Sequence, residues 1–597
     1  MTTFKQTWRL AKLPLAVSLA STLAAPAFGV TFNMGEIEGS FDSSLSVGAS
    51  WSVTSPDRDL IGVNNGGQGL SQTTDDGRLN FKKGETFSKI FKGIHDLELK
   101  YGDTGILVRG KYWYDFELKD ESRLLYDIDD SNRKEAAQSS GAQILDAFIY
   151  HNYEIADLPG SVRLGKQVVS WGESTFIFNS INAINPVDAA AFRRPGAEIK
   201  EGLIPVNMFY VSQSLTDNLS AEAFYQLEWD QTVADNCGTF FAVDVVQDGC
   251  TDRLAVAGSD LGGPGSAGYK YVGRLGDNDP RDSGQYGIAL RWFAEELNDT
   301  EFGFYTMNYH SRTPNLSYVA GQSVYLLPNS VEDPATGELY AKYYNDYAED
   351  IRLHGVSFST NIGSTAVNGE LSYRPNMPMQ INTTDLTLGS IAQGGLAQAL
   401  GVPTNLPVFT SGHANFGSGE VLKGYERKPM TQAQVTVTQF VDQVAGAERL
   451  TLVGEVGYTH VSNLNANELR FGRAPEFGAG EYPSNTLCTG IANPANPDEC
   501  NDEGFYTNTS WGYRARAVLE YNDVFAGVNL KPNMSWAHDV DGYGPTFNEG
   551  NKAVSLGVDA DYLNTYTASL AYTDFFGGEY NTNVDRDFVA LSFGVNF

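Results

Sequence analysis

Hydrophobic and polar residues alternate with period two in segment after segment of this chain. In ILVRGKYWYDFEL, Ile106, Val108, Tyr112, Tyr114, Phe116 and Leu118 share one face, while Arg109, Lys111, Asp115 and Glu117 share the other. In LSAEAFYQLEWD, Leu219, Ala221, Ala223, Tyr225, Leu227 and Trp229 oppose Glu222, Gln226, Glu228 and Asp230. In YRARAVLEY, Tyr513, Ala515, Ala517, Leu519 and Tyr521 oppose Arg514, Arg516 and Glu520. This period predicts strands rather than amphipathic helices. The run at the chain end, DFVALSFGVNF, also alternates, with Val589, Leu591, Phe593, Val595 and Phe597 on one face.

The connections are of two kinds. Tight links at Tyr101–Gly105, Thr216–Asn218, Gly363–Ser364, Asn522–Asp523 and Leu563–Asn564 join paired runs, as do those near 156–160, 294–299 and 443–448. Gly, Asn and Asp tolerate the positive φ that hairpins need. Long connections lie near 54–93, 119–143, 170–204, 231–283, 311–350, 374–430, 461–510, 539–552 and 575–586. With an opening strand near 41–53 and the closing run at 587–597, the pattern predicts about 18 strands (16–18), an even number as in bacterial membrane barrels. The expected fold is all-β: a transmembrane antiparallel barrel with short periplasmic turns and long extracellular loops. A terminal strand closed by Phe resembles the assembly signal of bacterial outer-membrane barrels, which places that signal on Phe593, Val595 and Phe597. Lys166 is the exception, falling on the lipid-facing side of VRLGKQVV and needing a bulge or a place at the membrane rim.

Residues 1–27 read as a signal peptide: Lys5, Arg9 and Lys12, then LPLAVSLASTLAA, then the cleavage pattern Ala25-Pro26-Ala27. Its removal takes the formal net charge from −32 to −35. Residues 28–597 then form a single barrel domain in a Gram-negative outer membrane. The acidity excludes nucleic acid as a partner. A mean hydropathy of −0.28 argues against a helical membrane protein but not against a barrel with a polar lumen. The acidic segment at 119–135 reads as a solvated loop, or alternatively as a divalent-cation site beside lipopolysaccharide phosphates. Four cysteines form two local pairs, Cys237 with Cys250 and Cys488 with Cys500, which in an exported chain read as disulfides. No metal site and no cofactor is expected. Without a nucleophile elbow, a zincin motif or a phosphate loop, the chain does not read as an enzyme.

The most distinctive stretch is VRLGKQVVSWGESTFIFNSINAINPVDAAAFRRPGAEIKEGLIPV. Together with GSFDSSLSVGASW, LDAFIYHNYEI, LTDNLSAEAFYQLEW, CGTFF, LVGEVGYTHV and WGYRARA, it resembles a family of proteobacterial, Pseudomonas-type outer-membrane barrels known by a domain of unknown function. The resemblance covers most of the chain, and the family commonly carries Arg where this chain has Lys166. It implies an association with lipid- or hydrophobe-handling systems that include a periplasmic partner and a resistance-nodulation-division transporter. Outer-membrane lipid, lipopolysaccharide and the barrel assembly machinery complete the expected partners.

Read physically, the stretch is a strand entering an ordered loop. Asn185 is the expected helix cap, Pro186 the first helical position and Pro195-Gly196 the stop. That loop either folds into the mouth or lumen and sets selectivity, or merely ties the rim together. Candidate lumen and substrate residues are Arg109, Lys111, Arg163, Gln167, Trp171, Glu173, Asp188, Arg193, Arg194, Arg291, Arg514 and Arg516. They either select solutes across an aqueous space or pair with Asp115, Asp146, Glu222, Glu228, Glu370, Glu455 and Glu520 as structural ladders. The apolar segment at 386–402, with Leu396 and Leu400 one helical turn apart, either captures hydrophobic molecules at the outer mouth or packs onto other loops. The functional expectation is a channel or transporter for a hydrophobic or amphipathic, lipid-like substrate. The alternatives are a general or solute-selective porin and a non-conducting assembly scaffold.

Overall fold

The computed structural model describes residues 29–321, 335–391, 408, 411–413, 419–466, 468–478, 480–481, 486 and 488–597. The signal-peptide reading and the Leu396/Leu400 pair lie outside the described residues. Nine strands form the first half of the wall: β1 (Ile37–Ser52), β2 (Thr86–Tyr101), β3 (Thr104–Asp115), β4 (Ser140–Ile155), β5 (Leu158–Gln167), β6 (Val206–Thr216), β7 (Leu219–Gln226), β8 (Tyr286–Ala294) and β9 (Thr300–Tyr309). The second half runs through β10 (Ile351–Ile362), β11 (Thr365–Gln380), β12 (Tyr425–Val444), β13 (Ala447–Val461), β14 (Thr509–Phe525), β15 (Val528–Asp541), β16 (Lys552–Tyr562), β17 (Tyr566–Phe576) and β18 (Phe588–Asn596).

Each strand pairs antiparallel with its sequence neighbours, and β18 returns to β1 over Ser44–Ser52. Ser43 and Phe597 exchange two backbone hydrogen bonds, at 2.7 and 2.9 Å. The chain therefore closes as the terminal alternation predicts, and no edge is left in hydrocarbon. The part of β1 that β18 does not reach is paired by a short strand, Val30–Met34, making a nineteen-stranded sheet.

The faces follow the sequence parity. Ile149, Leu290, Val437, Val456, Leu556 and Leu570 stand exposed on the outer wall. Exposed aromatic side chains flank this apolar band, with Tyr225, Tyr286, Tyr458 and Trp511 toward the long-loop end and Trp292, Tyr562 and Tyr566 toward the short-turn end. A closed, even-stranded barrel with an apolar, aromatic-girdled exterior and a polar interior is an outer-membrane barrel. Lys166 is the penultimate residue of β5, so it sits at the outer rim and its ammonium can reach the interface.

Three local expectations are corrected. The β14–β15 turn is not at Asn522-Asp523. Residues 522–524 bulge against Asn529, Asp523 adopts φ 47°, and the chain turns at Ala526-Gly527. The alternation at 106–118 stops at Asp115, whose carboxylate accepts from the N–H groups of Glu117 and Leu118 and caps the helix Phe116–Asp120. In LSAEAFYQLEWD the strand ends at Gln226.

At the outer end the loops build a structure the parity did not forecast. Segments Leu254–Ala257, Lys270–Arg274, Asn315–Val319, Glu338–Asp346 and Val421–Leu422 form a separate five-stranded sheet. Val272, Tyr318, Tyr343, Ile381, Leu386 and Leu422 make a core beneath it, each at most 1% exposed. Leu386 lies in that core, so the described part of the apolar 386–402 segment packs inward. Both cysteine pairs are disulfides in these loops. In the 119–135 loop, Asp130 takes Lys119 and Ser139, and Arg123 pairs with Glu117, so its carboxylates are engaged within the loop and its base. Among the described residues no helix is long and apolar enough to cross a membrane, and no three His, Cys, Asp or Glu side chains are disposed to hold a metal ion.

Candidate functional site

The connection between β5 and β6, residues 168–205, folds into the lumen as a plug of two lobes. In the first lobe, Trp171, Ile181 and Ile184 are at most 1% exposed and pack on inward-facing Val206, Met208, Phe224, Tyr305 and Leu353. Trp171 donates its indole N–H to Glu222 at 2.7 Å. Two buried wall carboxylates hold the backbone. Glu455 accepts from the N–H groups of Thr175, Phe176 and Ile177 at 3.0, 2.6 and 2.8 Å. Glu370 accepts from those of Glu173 and Ile181. Arg374 donates to the carbonyls of Asn179 and Ser180 at 2.9 and 2.5 Å. Withdrawing the lobe without a replacement partner would strand each carboxylate, at about 1–3 kcal/mol per group. The close fit needs glycine in the wall: a Cβ on Gly355 or Gly457 would lie 2.8 Å from Ile181 or Ile177.

The second lobe carries two short helices, Ala189–Arg193 and Ile199–Gly202. Its first cap is Asp188, not Asn185. Asp188 accepts from the Ala191 N–H at 3.0 Å and takes Lys111 Nζ at 2.8 Å with its other oxygen. Asn185 is instead spent inside the first lobe, accepting from Val169 and donating to the carbonyls of Gln167 and Ile204. Lys92 donates to Glu201 at 2.5 Å and to the Gly196 carbonyl at 2.6 Å. Arg194 lies 4.7 Å from the Trp113 ring centre and donates to the Ala136 carbonyl at 2.9 Å.

A cavity lies on each side of this second lobe. On the outer side a slot of about 60 Å³ is bounded by Phe87, Trp113, Arg193, Arg194, Phe240 and Phe241. On the inner side a vestibule of about 780 Å³ runs from Gly196, Glu198 and Lys200 past Glu520, Asp559 and Asp561 toward the short turns and Phe597. The plug also holds two large apolar side chains out of any core: Phe178 is 77% exposed and Ile199 74%.

The candidate residues divide accordingly. Lys111, Asp188, Arg193 and Arg194 meet at the second lobe. Trp171, Glu173 and Arg291 meet at the first, where Arg291 pairs with Glu222 and Glu301. Gln167 is buried at the plug's root and donates to the Met208 carbonyl. Arg109 is a wall ladder with Asp96 and Asp146, and Arg514 pairs with Asp539 at 2.6 Å. Arg163 stacks over Tyr210 and Phe148. Arg516 is exposed on the lumen face. Arg109, Arg291 and Arg514 thus pair with carboxylates of the wall, while Lys111 joins the wall to the plug. The sequence pattern does not single out Lys92, Glu201, Arg374, Phe178, Ile199, Phe240 or Phe241, all of which the structure brings to the plug or its slot. The CGTFF segment was the one available signal for the Phe pair.

Behind the slot, in the outer loops, charge is buried. Asp244 is 1% exposed and accepts from the Gly238 N–H at 2.7 Å. Burial pushes its carboxyl up to about 7, with neighbouring Asp75 adding to the rise and Arg253 and Arg586 opposing it. Burial likewise pulls Arg586, stacked 4.9 Å from the Phe240 ring centre, down to about 9.

An eighteen-stranded outer-membrane barrel with a folded luminal plug is thus the class that the fold and site define. The chain belongs to the family described as "Protein of unknown function (DUF1302)", which it matches over residues 10–597. No curated protein matches it. Solved structures similar to it include the outer membrane channel DcaP of Acinetobacter baumannii, at 9% identity and TM-score 0.35 over 96% of this chain and 100% of that one. OccD3 (OpdP) of Pseudomonas aeruginosa gives 9% and 0.37 over 97% and 95%. A BenF-like porin from Pseudomonas fluorescens Pf-5 gives 8% and 0.39 over 94% and 98%. Likeness at this level does not bear on substrate.

Proposed function

We propose that the protein is a plugged outer-membrane channel for an amphipathic, lipid-like anion. The observation that carries this is the second plug lobe, a thin partition with an aromatic, arginine-edged slot on one side and a large polar vestibule on the other. A purely structural plug has no need to hold Phe178 and Ile199 out in the lumen, where exposed apolar surface is unfavourable. A solute with an apolar end and an anionic head matches both features. Hand-over at the inner end to a periplasmic partner and a resistance-nodulation-division transporter belongs to the same proposal.

The test is uptake into proteoliposomes. Octanoate is expected to enter through the reconstituted barrel faster than glucose by an order of magnitude or more. Equal rates for the two would favour the second reading, a solute-selective porin, which the polar vestibule supports. Exclusion of both would leave a non-conducting scaffold.

A further inference from the structure

We propose that the slot on the outer face of the second plug lobe binds the carboxylate head of an amphipathic anion, with Arg194 as its cationic anchor. This rests on the channel reading and deepens it by naming where the solute is first held.

The charges around the slot are satisfied except at one point. Arg193 pairs with Asp235 and donates to the Phe241 carbonyl. Asp115 accepts from Ser88 and from the N–H groups of Lys89, Glu117 and Leu118. Lys92 and Lys111 are taken by Glu201 and Asp188. The Arg194 guanidinium gives one hydrogen bond, to the neutral Ala136 carbonyl, and the carboxylate whose charge it feels, Asp235, is hydrogen-bonded to Arg193 instead. A guanidinium has five N–H donors in a planar fork that matches a carboxylate. Half-buried against Trp113, Arg194 keeps spare donors and shares its nearby carboxylate, Asp235, with Arg193, so the slot retains a cationic fork for an anion.

The opposite wall selects the apolar part. Phe87 and Phe240 stack at 4.2 Å, and Phe241 stands edge-on to Phe87 at 5.9 Å. A cavity of about 60 Å³ holds roughly two waters. That is room for a carboxylate and its first carbons, not for a whole acyl chain. The slot lies where the outer ends of β2 and β3 meet the loop at 235–241, on the long-loop side of the plug.

The experiment is calorimetric titration of the detergent-purified full chain with octanoate, 1-octanol and octylamine. Octanoate should bind, and the two uncharged or cationic analogues should bind about tenfold or more weakly, as loss of a charge-assisted contact requires. Arg194→Gln should weaken octanoate by a similar factor without altering the melting temperature, and Arg194→Lys should restore most of the affinity. Phe241→Ala, which leaves every ion pair in place, should weaken octanoate and leave acetate unaffected. Binding of octanol as tight as that of octanoate, unchanged octanoate binding by Arg194→Gln, or absence of octanoate binding would each overturn the proposal. Octanoate bound through Arg194 but excluded from proteoliposomes would remove the channel reading and keep the slot. Uptake indifferent to Arg194→Gln, with octanoate affinity unchanged, would do the reverse.

Discussion

The two ends of this barrel are built on different principles. At the inner end, links such as Gly102-Asp103, Gly363-Ser364 and Ala526-Gly527 are only as long as a hairpin demands, and a polar vestibule opens directly behind them. At the outer end, loops of dozens of residues fold into a sheet with its own hydrophobic core, two disulfides and buried charge. The plug divides the two. On the proposed reading, the inner half bears on assembly and exit, whereas discrimination belongs to the outer half and the plug's outer face.

The largest expected effect breaks the inner end. Phe597→Asp puts a charge at the very end of the chain, where the closing strand is sealed to β1 by the Ser43/Phe597 hydrogen bonds. Heat-modifiable barrel in the outer membrane should fall to a small fraction of wild type, with precursor accumulating in the periplasm. Normal yield would detach closure from assembly. Next comes the outer end. Replacing Cys237 and Cys250 by Ser removes a cross-link across 13 residues and should cost the outer loops about 3 kcal/mol. Limited proteolysis should then cut the loops while the barrel still shifts on heating. Loss of the barrel as well would mean that the two ends do not fold independently.

A smaller effect follows from Asp244. Its carboxyl, raised from 3.8 to about 7 by burial, keeps a proton that the unfolded chain has lost. The resulting stability is complete below about pH 4, declines across the window, and is gone above about pH 7. Proteolytic resistance of the outer loops should therefore fall between pH 4 and pH 7, and Asp244→Asn should flatten that fall. The smallest effect tests the wall beside the vestibule. Arg514→Ala with Arg516→Ala should move the reversal potential toward cation selectivity without changing stability much. No movement would take both residues out of the solute path.

Legibility in the sequence followed the same division. The wall was readable because lipid outside and water inside impose period two on every strand, and because hairpins demand particular turn residues. Even Lys166 fell at the rim, one of the two places its charge allows. Where one residue bulges, as at Asp523, parity shifts and the turn was misplaced. The plug is legible as an ordered loop with charged residues, among them Asp188, Arg193 and Arg194. Its cap was not, because Asn185 and Asp188 are equally good N-caps in isolation. Only Lys111, 77 residues away in sequence, shows which one the lumen engages. Glu370 and Glu455 read as lumen carboxylates, but nothing local tells that their partners are backbone N–H groups of the plug. The five-stranded outer sheet joins segments from three loops by non-local pairing, so it left no periodic trace.

The central claim is that the plug governs passage, and planar-bilayer recording tests it most directly. Wild type should show small, infrequent conductance steps. A variant lacking residues 173–182, which removes the backbone N–H groups held by Glu370 and Glu455, should conduct at least several-fold more, as an unplugged barrel of this strand number would. A large, steady wild-type conductance that the deletion leaves unchanged would contradict the account.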